Sequence, residues 1–124
     1  MLAMVVAILA LELTITPGFA SAWLTLNNVM GDESGISGQV GVWGLGFAEA
    51  LQNYGICTIY SSSGQNIGVT VLNFSPYGNG WYPFWCQFPN GFPGPGFYYA
   101  TIQITVLAYI TYSLSISTTN YQIN

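Results

Sequence analysis

The side chains of this sequence that could do charge-driven or thiol chemistry are few: Glu12, Asp32, Glu33, Glu49, Cys57 and Cys86. There is no lysine, arginine or histidine, and the formal net charge is −4. General acid–base catalysis, activated nucleophiles and transition-metal sites lean on the missing residue types or on clustered cysteines. What remains is a carboxylate pair of the glycosidase kind, and only Asp32 and Glu33 adjoin. The composition therefore points away from an enzyme and implies no cofactor. A chain without a cation has nothing to neutralise phosphate, so nucleic acid is not expected as a partner. Asp32 and Glu33, with Asn27 and Asn28, offer oxygens to calcium, but a solvated turn is the plainer reading, and no metal is expected.

These groups must be positioned by 124 residues, of which 52% are hydrophobic and 16% aromatic. That length is one domain with an anchor or tail. The polar remainder is Ser, Thr, Asn, Gln and Gly, giving a neutral hydrogen-bonding surface. So little charge threatens the solubility of a solitary protein and suits one that packs against copies of itself.

Residues 1–16 are too long and apolar for one ordinary strand, and their Ala, Leu and Met favour a helix. Continued through Leu26 it would be about 39 Å long, and crossing a bilayer takes ~20 residues. Pro17 would kink or end it. Gly18 to Ala22 has the small residues of a signal-peptidase site, but no basic n-region precedes the apolar run. A short basic leader already removed resolves the conflict. Glu12, the one charge in the run, should then be protonated, hydrogen-bonded, or paired with the α-amino group of another copy, the alternative being a wet surface position in a run that is not a buried helix.

Leu2-Ala3-Met4-Val5-Val6-Ala7-Ile8-Leu9-Ala10-Leu11 resembles the mature N-terminus of archaeal type IV pilins and archaellins, which read Leu-Ser-x-Val-Val-Ala before an Ile/Leu-rich helix. Glu12 and Pro17-Gly18 depart from that pattern. The resemblance implies a helix that bundles with its copies in a filament core, using Leu2, Val5, Val6, Leu9, Leu11, Glu12, Leu13, Phe19 and Trp23 as the polymerisation segment. It also implies residence in the membrane before assembly, and adhesion to surfaces or other cells. Phe19-Ala20-Ser21-Ala22-Trp23-Leu24-Thr25-Leu26 is similar to the start of camelysin-type biofilm fibre proteins, in which one subunit donates a strand to the next.

Beyond Leu26 the composition changes. Residues 27–46 read as loop and short strands, and 47–51 could form one helical turn. Strands are expected over 56–60 and 67–74, separated by a turn at 61–66. Residues 76–96 hold five of the six prolines with Trp81, Tyr82, Phe84, Trp85, Phe88 and Phe92, and read as a long ordered loop. From Thr101 to Ile116 apolar and hydroxylated residues alternate, which is a strand that either bends or breaks into two near Ala108 and Tyr109.

In an exported protein Cys57 and Cys86 are expected to bond to each other, with two buried thiols as the alternative. Asn73-Phe74-Ser75 fits the N-glycosylation sequon, with Pro76 directly after it. Trp81 or Trp85 could stack on sugar, against the blander roles of core or subunit-interface packing. The expected fold class is α+β: an apolar helix over 1–26 and a mainly antiparallel β-sandwich head over 27–124, immunoglobulin-like or jelly-roll. The expected function is the structural subunit of an extracellular pilus-like filament. The alternatives are a donor-strand fibre subunit, and a membrane-anchored β-domain or viral coat protein.

Overall fold

The computed structural model describes residues 22–74 and 78–124, and every regular element among them is a β-strand. In chain order these are β1 (Trp23–Asp32), β2 (Gly35–Trp43), β3 (Ala50–Ser61), β4 (Asn66–Asn73), β5 (Gly80–Gln87), β6 (Gly96–Leu107), β7 (Tyr112–Ser117) and β8 (Tyr121–Ile123). One antiparallel sheet runs β1-β2-β5; the other runs β4-β3-β6-β7, with β8 pairing the start of β6.

Alternation along each strand decides which face is buried. Ile36, Val40 and Val42 of β2 and Phe84 and Cys86 of β5 point inward from the first sheet. Cys57 and Ile59 of β3 and Ala100, Ile102, Ile104 and Val106 of β6 meet them from the second. β-branched residues dominate this layer because they fit a pleated, buried surface. The Cys57–Cys86 disulfide joins the two sheets through the core, with Cα atoms 5.7 Å apart.

Asp32 turns the chain from β1 into β2 by accepting from the Ser34 backbone N–H at 2.8 Å and from its hydroxyl at 2.5 Å. Gly35 follows at φ 143°, where a Cβ would lie 1.9 Å from the Cys86 carbonyl oxygen, so only glycine fits.

The loops gather at two poles. At one lie the start of β1, the β2–β3 loop and the β6–β7 hairpin; at the other lie the β1–β2 and β3–β4 turns, the 88–95 loop and the C-terminus. Leu45 N–H donates to Asn79 Oδ1 at 2.9 Å at the first pole; Phe88 N–H bonds the Ser34 carbonyl at 3.2 Å at the second.

Several expectations are corrected. The described chain is all-β rather than α+β. The expected helix over 1–26 falls largely outside the described residues, and its last four, Trp23 to Leu26, are paired with β2 instead. Residues 27–46, read as broken by glycine, hold most of two long strands, and Ala50 and Leu51, read as helical, begin β3. The expected aromatic loop 76–96 contains β5, whose Pro83 is tolerated because β5 lies at a sheet edge. The C-terminal alternation does divide: residues 108–111 link β6 to β7.

Candidate functional site

The chain has four tryptophans, and all four lie on the outer face of the three-stranded sheet. On β5, Trp81, Pro83 and Trp85 alternate with the inward Tyr82, Phe84 and Cys86. Register places Trp81 beside Gly41, Pro83 beside Gln39 and Trp85 beside Ser37. On the other side of β2, Trp23 pairs with Trp43, Thr25 with Gly41, Asn27 with Gln39 and Met30 with Ser37. The β1 bulge between Asn27 and Met30 includes Asn28 at φ 53°, which keeps Asn27 and Met30 on the same outer face.

Trp43, half-buried, ends the central strand of this face. Its Nε1–H donates to Thr25 Oγ1 at 2.8 Å, and its ring meets Trp81 edge-on with centroids 5.4 Å apart. The ring reaches back over Gly41, where an added Cβ would lie 2.6 Å from both Trp43 Nε1 and Thr25 Oγ1. Trp23, Trp81 and Trp85 remain 54%, 44% and 51% exposed. Asn27 Nδ2 donates to Gln39 Oε1 at 3.4 Å, so an amide pair separates the Trp81 end from the Trp85 end. Along β5 that separation is about 14 Å, four residues at ~3.4 Å each.

The outer face of the other sheet is different. Tyr54, Ile56, Val69 and Val71 are exposed on β3 and β4, and the Tyr60 and Tyr99 rings stack at 5.2 Å. Toward β7 it becomes hydroxylated, with Thr101 paired to Ser117 through an oxygen–oxygen contact of 2.8 Å.

Among the described residues the carboxylates lie at the ends of the sheets, Asp32 closing the outer face of β1 two residues beyond Met30. Among the described residues Asp32 and Glu33 sit at the β1–β2 turn and Glu49 in the β2–β3 loop. Hydrogen bonds from Ser34 hold the Asp32 carboxyl below the usual carboxylate range. Glu49 accepts from the Gly46 N–H at 2.6 Å and from the Tyr112 hydroxyl, which ties the β2–β3 loop to the β6–β7 hairpin. Burial, then the bond to Glu49 and its charge, push the Tyr112 hydroxyl well above the ordinary tyrosine value. No group of His, Cys, Asp and Glu suited to a metal occurs among the described residues.

No family model, curated protein or solved structure matches this chain. The residues themselves must carry the functional reading.

Of the residues singled out in the sequence, Leu2, Val5, Val6, Leu9, Leu11, Glu12, Leu13 and Phe19 lie outside the described residues. Trp23 is described, on the outer face of β1 rather than in a helix. Asn73 ends β4 and is exposed, while Phe74 after it is buried against Tyr82. Trp81 and Trp85 share a face with Trp23 and Trp43, a set the sequence reading did not assemble. The period-two signal in β5 was present, but aromatic residues on both of its faces masked the alternation.

Proposed function

We propose that this chain is the structural subunit of an extracellular, pilus-like filament, held to its copies through its apolar N-terminal segment, with the β-sandwich forming the outer wall. The observation that carries the reading is where the exposed apolar loop residues lie. Phe47 and Tyr109 are fully exposed, and Leu107 and Ile110 are about half exposed beside them. Leu107 pairs with Ala50, and the Glu49–Tyr112 bond joins the two loops, so these side chains gather at one pole. It is the pole at which residue 22 leads back toward the apolar segment. A head standing on a layer built from such segments would bury this pole.

The outer face of the four-stranded sheet, with no charged side chain among the described residues, supports the same reading, since neighbouring heads can pack there with no ion to desolvate. The inter-sheet disulfide suits a protein outside the reducing cytosol. Adhesion or cell-to-cell contact is the role that such a filament would serve.

Negative-stain electron microscopy of native material tests the reading, and filaments are the expected result. The double variant Phe47→Asp/Tyr109→Asp should assemble poorly while its disulfide and thermal unfolding stay as in the wild type. Native material that remains monomeric at every concentration ends the proposal.

A further inference from the structure

We infer that the tryptophan face of the three-stranded sheet binds an extended, neutral polysaccharide built from equatorially substituted pyranose rings, such as β-1,4-linked glucose or N-acetylglucosamine. Such rings present flat faces of C–H bonds above and below and hydroxyl or amide groups around the rim. An indole offers the complementary flat apolar surface, and side-chain amides bond the rim. This face supplies both: Trp23, Trp81 and Trp85 about half exposed, with Asn27 and Gln39 between the two ends.

Three features favour a glycan over other occupants. Among the described residues the stretch from Trp23 to Trp85 carries no charged side chain, Asp32 standing only at the far end of β1 where Ser34 holds it, so a neutral ligand binds there without leaving an ion unpaired, and the chain's net charge of −4 disfavours polyanions. The spacing of Trp81 and Trp85, about 14 Å along one strand, exceeds one sugar ring and suits a chain lying along β5. Trp43 is already fixed by Thr25 and by its edge-on contact with Trp81, so part of the platform is ordered before any ligand arrives. A second copy of the chain is the rival occupant, and the experiment separates the two.

Because every tryptophan lies on this face, tryptophan emission, excited at wavelengths that the chain's nine tyrosines do not absorb, reports on it alone. The native full-length protein is titrated with hexasaccharides of β-1,4-linked glucose and of N-acetylglucosamine, with a polyuronate as the charged control. Acrylamide quenching is recorded in parallel, and retention is measured on insoluble cellulose and chitin. A saturable emission change with at least one neutral hexasaccharide, protection from the quencher and no response to the polyuronate are expected. Trp81→Ala and Trp85→Ala should each weaken binding about tenfold, Trp85→Ala with unchanged thermal unfolding and Trp81→Ala with a small loss from its contact with Trp43, and Val71→Ala on the other sheet should leave binding unchanged. The inference is overturned if neither neutral sugar binds, or if emission follows protein concentration alone, which would place a second copy on the face. Filaments without sugar binding would remove this inference and leave the structural proposal intact; sugar binding by a protein that never assembles would do the reverse.

Discussion

The Tyr112 hydroxyl donates to the Glu49 carboxylate across 63 residues of sequence, joining the β6–β7 hairpin to the β2–β3 loop. Because burial and Glu49 both favour the neutral phenol, the folded value lies above that of the unfolded chain. Its stabilisation is therefore complete below about pH 10, the ordinary tyrosine value, and is lost as the pH rises toward the folded value.

Tyr112→Phe should cost about 1–2 kcal/mol, between the values for a neutral hydrogen bond and for one to a charged group, because the pair is only partly buried. Denaturant melts at pH 7 and pH 11 check this. The wild type should lose more stability between them than the variant does, and equal losses would refute the assignment.

Reducing the Cys57–Cys86 bridge frees a loop whose ends are 29 residues apart in sequence. Chain entropy for a loop of that size gives about 3.5 kcal/mol, and the two sheets would be left joined only by packing and loops. Cys57→Ala/Cys86→Ala should lower the unfolding free energy from denaturant melts by a comparable amount, and a loss under about 1 kcal/mol would show that the core alone fixes the sheets.

Gly41→Val places a branched side chain where Trp43 now lies. The indole must lift away from Thr25, breaking their bond, at a cost of about 1–3 kcal/mol. Acrylamide should quench the variant's fluorescence more strongly than the wild type's. Unaltered quenching would contradict the position of that ring.

The Asp32 carboxyl is held below its ordinary value by Ser34, so the turn it closes is favoured above pH 4 and loosened as the pH falls through the folded value. Asp32→Asn should flatten the acid limb of the stability profile slightly, because the group is on the surface. Thermal unfolding between pH 5 and pH 2 would reveal no difference if the bond to Ser34 were unimportant.

How much of this was readable in the residue order depends on how each strand is buried. β6 and β7 announce themselves because one face is core and the other hydroxylated, so Ile102, Ile104 and Val106 alternate with Thr and Gln. β5 conceals the same period because its outer residues are as aromatic as its inner ones. β1 and β2 were obscured by Gly31, Gly35, Gly38 and Gly41, of which Gly35 and Gly41 serve close approaches between neighbouring strands and rings. Local propensity cannot display such contacts, since the partner is far away in sequence. The disulfide needed only two cysteines and an oxidising setting, whereas the tryptophan face required the register of three strands.

β1 runs from one pole of the sandwich to the other, and Gly31 near its far end faces Tyr121 and Ile123 of β8. Residue 22 and Asn124 therefore sit at opposite poles, the strand between them spanning roughly 30 Å. A peptide or small domain fused after Asn124 would project from the pole opposite Phe47 and Tyr109. If the copies stand on their N-terminal segments, such cargo would be displayed at regular intervals along the outside of the polymer, making the position after Asn124 a natural place for a label or an engineered graft.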